Sequence, residues 1–93
     1  QWVITGEGRL DAQTLHGKVV AGVCQKAQRT GIPVAAVCGD LQISPDQLQQ
    51  LGLVYAASIQ KRPSSLEQAF AESEQNLHDW AFAFGRLLRQ FLA

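Results

Sequence analysis

Ninety-three residues make one small domain, since domains cluster around roughly 100–150 residues and a chain this short buries only about 60–65% of its unfolded surface. Eight Lys plus Arg balance eight Asp plus Glu, so the basic stripe that a nucleic-acid binder needs is absent. A hydrophobic fraction of 46% with 17% charged residues excludes a disordered tail, and no apolar run reaches the roughly 18–20 residues of a membrane span.

Trp2 to Thr5 is a β-branched and aromatic run and predicts a first strand. The chain has no Met and opens almost on that strand, which reads as a piece of a longer protein. A Gly-rich polar loop is expected from Gly6 to Thr14. From about Gly17 to Thr30, Val19, Val20, Val23, Cys24 and Ala27 line one helical face, and Gly31 and Pro33 stop the helix. Pro33 to Cys38 is a continuous apolar run, as suits a parallel strand covered on both faces, and Gly39-Asp40 ends it. Ser44-Pro45-Asp46-Gln47 carries a capping box with Pro at the first helical position, opening a short helix that ends at Leu51-Gly52.

A third apolar strand is expected over 53–58, followed by a turn at Lys61-Arg62-Pro63 and a capping box of Ser64 with Glu67. The last helix, near 65–92, carries a stripe of Leu66, Phe70, Leu77, Trp80, Phe84, Leu87 and Phe91, interrupted at Ser73. Unbroken, it would be about 40 Å long, longer than a domain with a radius of gyration near 12 Å accommodates. Phe82 points away from the stripe, so part of this helix is expected to pack against something outside the chain. The β-α-β-α-β-α order predicts a three-layer αβα domain with a parallel sheet, Rossmann-like or flavodoxin-like and incomplete. Cys24 and Cys38 show neither metal spacing nor disulfide density and read as buried free thiols of a cytoplasmic protein.

Ligands of an open parallel sheet bind beyond the carboxyl ends of its strands. Three loops are expected there: Gly6 to His16, Gly39-Asp40-Leu41, and Gln60-Lys61-Arg62. The first is the most polar, and its glycines, with Lys18 at the following helix start, suit an anion. It fails the Walker pattern, because Ala12 stands five before Gly17 and Val19 follows Lys18; Asp11 in place of a third Gly fails the dinucleotide fingerprint. Bland roles compete at each position. Asp11 could cap the following turn, Arg9 could pair with Glu7 or Asp11, and His16 reads as a loop or cap residue. His78, beside Asp79, reads as a surface residue, and Lys61-Arg62 as a solvated turn.

The run Val3-Ile4-Thr5-Gly6-Glu7-Gly8-Arg9-Leu10-Asp11, then Gln13-Thr14 and His16-Gly17-Lys18, resembles the signature of the bacterial-type glycerate kinases. Gly31 to Val34, Leu51-Gly52 and Ser65 to Ala69 also fit that family, so the resemblance spans nearly the whole chain and places it in the C-terminal quarter of the enzyme. Two departures leave the signature intact: Lys18-Val19-Val20 lacks a Pro often found there, and Gly39-Asp40-Leu41 replaces a more variable loop.

The resemblance implies ATP-dependent transfer of the γ-phosphoryl group to D-glycerate, with the 2-hydroxyl favoured, Mg²⁺ as cofactor, and a site in a cleft between two α/β domains. On that chemistry Thr5, Gly6, Glu7, Gly8, Thr14 and Gly17 would bind substrate or phosphate. Arg9 and Lys18 would neutralise phosphate or the glycerate carboxylate. Asp11 would orient the hydroxyl or hold Mg²⁺, with Glu7 the alternative metal ligand. The expected partners are glycerate, ATP and an N-terminal part of the same enzyme, with a homo-oligomer left open, and the segment alone is expected to be inactive. The rival reading is a non-catalytic α/β module that binds an anionic metabolite or docks a partner through its C-terminal helix.

Overall fold

A computed structural model describes residues 1–17 and 19–92. In chain order it contains β1 (Val3–Leu10), a 3₁₀ helix (Ala12–His16), α1 (Val19–Thr30), β2 (Val34–Leu41), α2 (Pro45–Leu51), β3 (Tyr55–Ser58) and α3 (Leu66–Leu92). Two compact units result, Gln1–Ser58 and Ile59–Ala93.

The first unit is α/β, with a sheet in the order β1-β2-β3 and both pairings parallel, as the alternation of apolar strands and helices predicts. β2 lies in the middle, and Val34 to Cys38 are all buried. That double-sided burial is why the strand reads as an unbroken apolar run. Val34, Ala36 and Cys38 join Val20, Cys24 and Ala27 of α1, with Leu10, Leu51 and Leu53, in one core cluster. The face of α1 that meets this core is the one its periodicity marks out. Gly31, at φ +70°, follows the last turn of α1, where Ile32 N–H reaches back to the Ala27 carbonyl at 3.0 Å. α2 opens on the predicted box: Gln47 N–H donates to Ser44 Oγ and Ser44 N–H to Gln47 Oε1. It closes on Gly52 in the left-handed region, where a side chain would be strained.

Four boundaries differ from the sequence expectation. β1 continues to Leu10 instead of yielding to a loop at Gly6, because Gly6, Glu7, Arg9 and Leu10 stay in register with Val37, Cys38, Asp40 and Leu41. By the same ladder β2 runs to Leu41, so Gly39-Asp40-Leu41 is strand and not loop. β3 begins at Tyr55 because Leu53 N–H is still bonded to the Leu48 carbonyl at 3.1 Å. α1 starts at Val19, since a separate 3₁₀ turn uses Ala12 to His16.

In the second unit α3 is continuous through Ser73, whose hydroxyl donates to the Phe70 carbonyl at 2.9 Å. Its capping box is Ser65 with Gln68, both bonds at 3.1 Å. The expected Ser64–Glu67 box fails because the helix starts one residue later, and the Ser64 hydroxyl bonds the Arg62 carbonyl instead. Lys61 and Arg62 pair with Asp79 and Glu72 of α3, so this turn is stapled to its own helix. The Lys61 ammonium, then Gln75, holds the Asp79 carboxyl below its usual range. His78 is exposed and touches Asp79 through Nδ1 at 3.5 Å. Trp80 and Phe84 stack with centroids 4.8 Å apart, while Phe70, Phe82 and Phe91 are exposed. Among the described residues no helix is long and apolar enough to cross a membrane.

Candidate functional site

The carboxyl-terminal half of β1 departs from ordinary strand composition. Gly6-Glu7-Gly8-Arg9 is polar and flexible, yet it is held extended by its neighbour β2. Leu10 then anchors the strand end in the core. The chain turns at once into the 3₁₀ helix. Asp11 is its N-cap: Oδ1 accepts from Gln13 N–H at 3.0 Å, and Asp11 N–H donates to Thr14 Oγ1 at 3.0 Å. Gly17 N–H closes the turn on the Thr14 carbonyl. The chain therefore leaves the end of β1 in a tight, capped 3₁₀ turn before α1 begins.

An open cleft of about 450 Å³ lies in this bend, lined by Glu7, Gly8, Arg9, Asp11, Thr14 and Gly17, with Gln13, Val19 and Val20 completing it. The volume falls in the range of small-ligand sites, roughly 300–1,000 Å³. Six residues singled out as site residues from sequence thus share one surface. Thr5 and Gly6 lie further back along β1, opposite Ala36 and Val37, and are not among the cleft-lining residues. Lys18 lies outside the described residues, and of His16 only the backbone, the last residue of the 3₁₀ helix, is described.

Gly8 shows what the glycines do. Its φ is outside the left-handed region, and a Cβ there would meet nothing within 4 Å. Among the described residues no contact requires a glycine at this position. A glycine inside a strand costs about 0.5–1 kcal/mol relative to Ala, and it often marks a place where a ligand or another backbone comes close. Across the ladder a Cβ on Gly39 would sit 3.1 Å from the Gly8 carbonyl oxygen, so a side chain there would press on the backbone of β1.

Arg9 pairs neither with Glu7 nor with Asp11. Its Nε meets Asp40 Oδ2 at 3.1 Å, a pair whose side chains are 64% and 41% exposed. Gln42 Nε2 donates to both Asp40 oxygens, at 3.2 and 3.0 Å. Asp40 and Gln42 went unrecognised as part of this arrangement because Arg9 and Asp40 are 31 residues apart in sequence. Only the register Arg9↔Asp40 brings them side by side.

Beneath the site, Cys38 is buried and its thiol is pushed up to about 11, first by burial and then by the charge of Asp40. Burial also raises Cys24. Neither thiol is poised as a nucleophile, which needs thiolate near neutral pH.

Among the described residues no group of three or more His, Cys, Asp or Glu side chains converges as a metal cage. The cleft carries two carboxylates, Glu7 and Asp11. One or two carboxylates together with substrate phosphates form the usual protein share of a Mg²⁺ site, so the donor set fits a magnesium ion that arrives with a nucleotide.

The chain matches the glycerate kinase family over residues 1–89. It is 38% identical over 80 residues to a glycerate kinase of Halalkalibacterium halodurans, covering 86% of this chain and 21% of that protein. It is 37% identical over 75 residues to a glycerate kinase of Bacillus cereus, covering 81% and 20%. It is 36% identical over 75 residues to the glycerate 2-kinase of Escherichia coli, again covering 81% and 20%. The chain thus spans about a fifth of the length of these relatives. Matched over residues 1–89, with six of its signature residues on one cleft at the end of β1, the chain belongs to the glycerate kinase family.

Proposed function

We propose that this segment carries part of the active site of an ATP-dependent glycerate kinase, which transfers the γ-phosphoryl group to the 2-hydroxyl of D-glycerate. The observation that supports the reading most is the gathering of Glu7, Gly8, Arg9, Asp11, Thr14 and Gly17 on one cleft. Phosphoryl transfer asks a protein chiefly for positioning and charge neutralisation, and this surface offers both. The name of the Escherichia coli relative, glycerate 2-kinase, favours the 2-hydroxyl.

In this reading the Arg9 guanidinium receives an oxyanion, either a nucleotide phosphate or the glycerate carboxylate. Gly8 lets that oxyanion approach the backbone. Asp11 orients the acceptor hydroxyl through Oδ2, since Oδ1 is committed to Gln13. Glu7 is then the carboxylate nearest in role to a metal ligand, and Thr14 holds Asp11 in place from the other side of the cap. Magnesium bound with ATP supplies neutralisation of charge on the transferred group. The family resemblance gives Lys18 the role of a second cation, and the rest of the enzyme would supply the opposing lobe. Two buried free thiols suit a cytoplasmic enzyme.

The test is steady-state kinetics of the complete enzyme with glycerate and MgATP, with the product identified by phosphorus NMR. Arg9→Ala is expected to lower turnover by orders of magnitude while the fold survives. Near-normal turnover in Arg9→Ala removes the chemistry from this cleft, and 3-phosphoglycerate as product overturns the regiochemistry alone.

A further inference from the structure

We infer that Asp40, with Gln42 behind it, is the positioning residue for Arg9. The inference rests on the kinase reading above and extends it to a side chain that does not line the cleft. Three observations carry it. Arg9 and Asp40 are direct neighbours in the β1–β2 ladder, so their spacing is set by the sheet and not by a flexible loop. The contact at 3.1 Å uses Nε, the inner corner of the guanidinium. The edge formed by the two terminal nitrogens is the one a phosphate or carboxylate takes end-on in a bidentate pair. Finally, the Asp40 carboxylate is itself held, because Gln42 Nε2 donates to both its oxygens. Gln42 N–H in turn donates to the Leu10 carbonyl at 2.7 Å, which ties this support to the end of β1.

A surface ion pair with both side chains this exposed adds little to stability. What the pair does provide is orientation. A long, exposed arginine loses rotamer freedom whenever it binds an anion. Asp40 fixes one corner of the guanidinium beforehand, so less order must be created when the oxyanion arrives. Misplacing a binding group by about 1 Å can cost up to roughly a hundredfold in rate.

The experiment is a double-mutant cycle in the complete kinase: Arg9→Ala, Asp40→Asn and the double variant, with kcat and KM for glycerate and for MgATP, alongside thermal melts. Asp40→Asn is expected to lower kcat/KM roughly ten- to hundredfold with little change in Tm. In the Arg9→Ala background the same substitution is expected to have no further effect. A rise in the KM for glycerate identifies the carboxylate as the oxyanion, and a rise in the KM for MgATP identifies the phosphate. Gln42→Ala, which leaves the pair but loosens Asp40, is expected to give a smaller loss in the same parameter.

Asp40→Asn with wild-type kinetics beside a crippled Arg9→Ala overturns the inference and leaves the kinase site standing. So do losses that multiply in the double variant, because Asp40 then acts without Arg9. Wild-type kinetics in Arg9→Ala overturns both.

Discussion

A methyl group added at Gly8 separates the folding role of this position from its ligand role. The backbone there is compatible with alanine, and the new Cβ would meet no atom of the chain within 4 Å. Folding should therefore lose nothing. Replacing Gly by Ala at a compatible position stabilises by about 0.4–1 kcal/mol through the unfolded chain, which amounts to Tm unchanged or raised by a few degrees. The methyl instead occupies open space beside the backbone that lines the 450 Å³ cleft, where it would hinder a ligand reaching that backbone. An oxyanion displaced by about 1 Å loses up to roughly a hundredfold in rate. Gly8→Ala in the complete enzyme should then melt at or above the wild-type temperature while kcat/KM with glycerate and MgATP falls at least tenfold. Retention of kcat/KM within threefold would refute the idea that a ligand approaches this stretch of backbone. A Tm lowered by several degrees would refute the packing argument instead.

Asp11 can be divided in the same way: Asp11→Asn keeps a good N-cap acceptor and should hold Tm while lowering turnover, whereas Asp11→Ala should also lose about 1 kcal/mol of stability. Urea unfolding paired with kinetics of the two variants checks this. Gly39→Ala should lower the urea midpoint, because its Cβ would press on the Gly8 carbonyl at 3.1 Å, and it should disturb kcat/KM by moving Gly8. Cys38 keeps its proton in the folded protein up to about 11, against an ordinary 9.0. The unfolded chain releases that proton first, so this thiol's contribution to stability is intact below pH 9 and is lost between pH 9 and about 11. Iodoacetamide labelling followed by peptide mass spectrometry should leave Cys38 unmodified at pH 9 in the native enzyme and modify it in urea.

Legibility in the sequence followed the range of the forces involved. The Val34 to Cys38 strand, the α1 face and the Ser44 box were readable because burial on both sides, helical spacing and capping chemistry are each written within a few residues. The end of β1 was not. Gly6 to Arg9 has the composition of a loop, and only hydrogen bonding to a strand 31 positions away in register keeps it extended. The same distance concealed the partner of Arg9, for which Glu7 and Asp11 were the local candidates. The last capping box was misplaced by one residue because Ser64-Ser65 and Glu67-Gln68 offer two registers with nearly equal local chemistry. Gln13, Val19 and Val20 join the cleft through the 3₁₀ turn between β1 and α1, and nothing in their own spacing announces that turn.

Glu7, Gly8 and Arg9 of the cleft belong to β1, whose register depends on partners far along the sequence, whereas Asp11, Gln13, Thr14 and Gly17 lie outside the sheet. Two kinds of information are thereby kept apart. Substitutions at exposed positions such as Gln13 or Val19 can reshape the binding surface without disturbing the β1–β2 register, and changes deep in β2 can alter robustness without rewriting the binding surface. Asp40 stands at the junction of the two, in the β1–β2 ladder and paired with cleft-lining Arg9. A library confined to Asp11, Gln13, Thr14 and Gly17, on an unchanged sheet, is accordingly the economical way to vary the cleft surface.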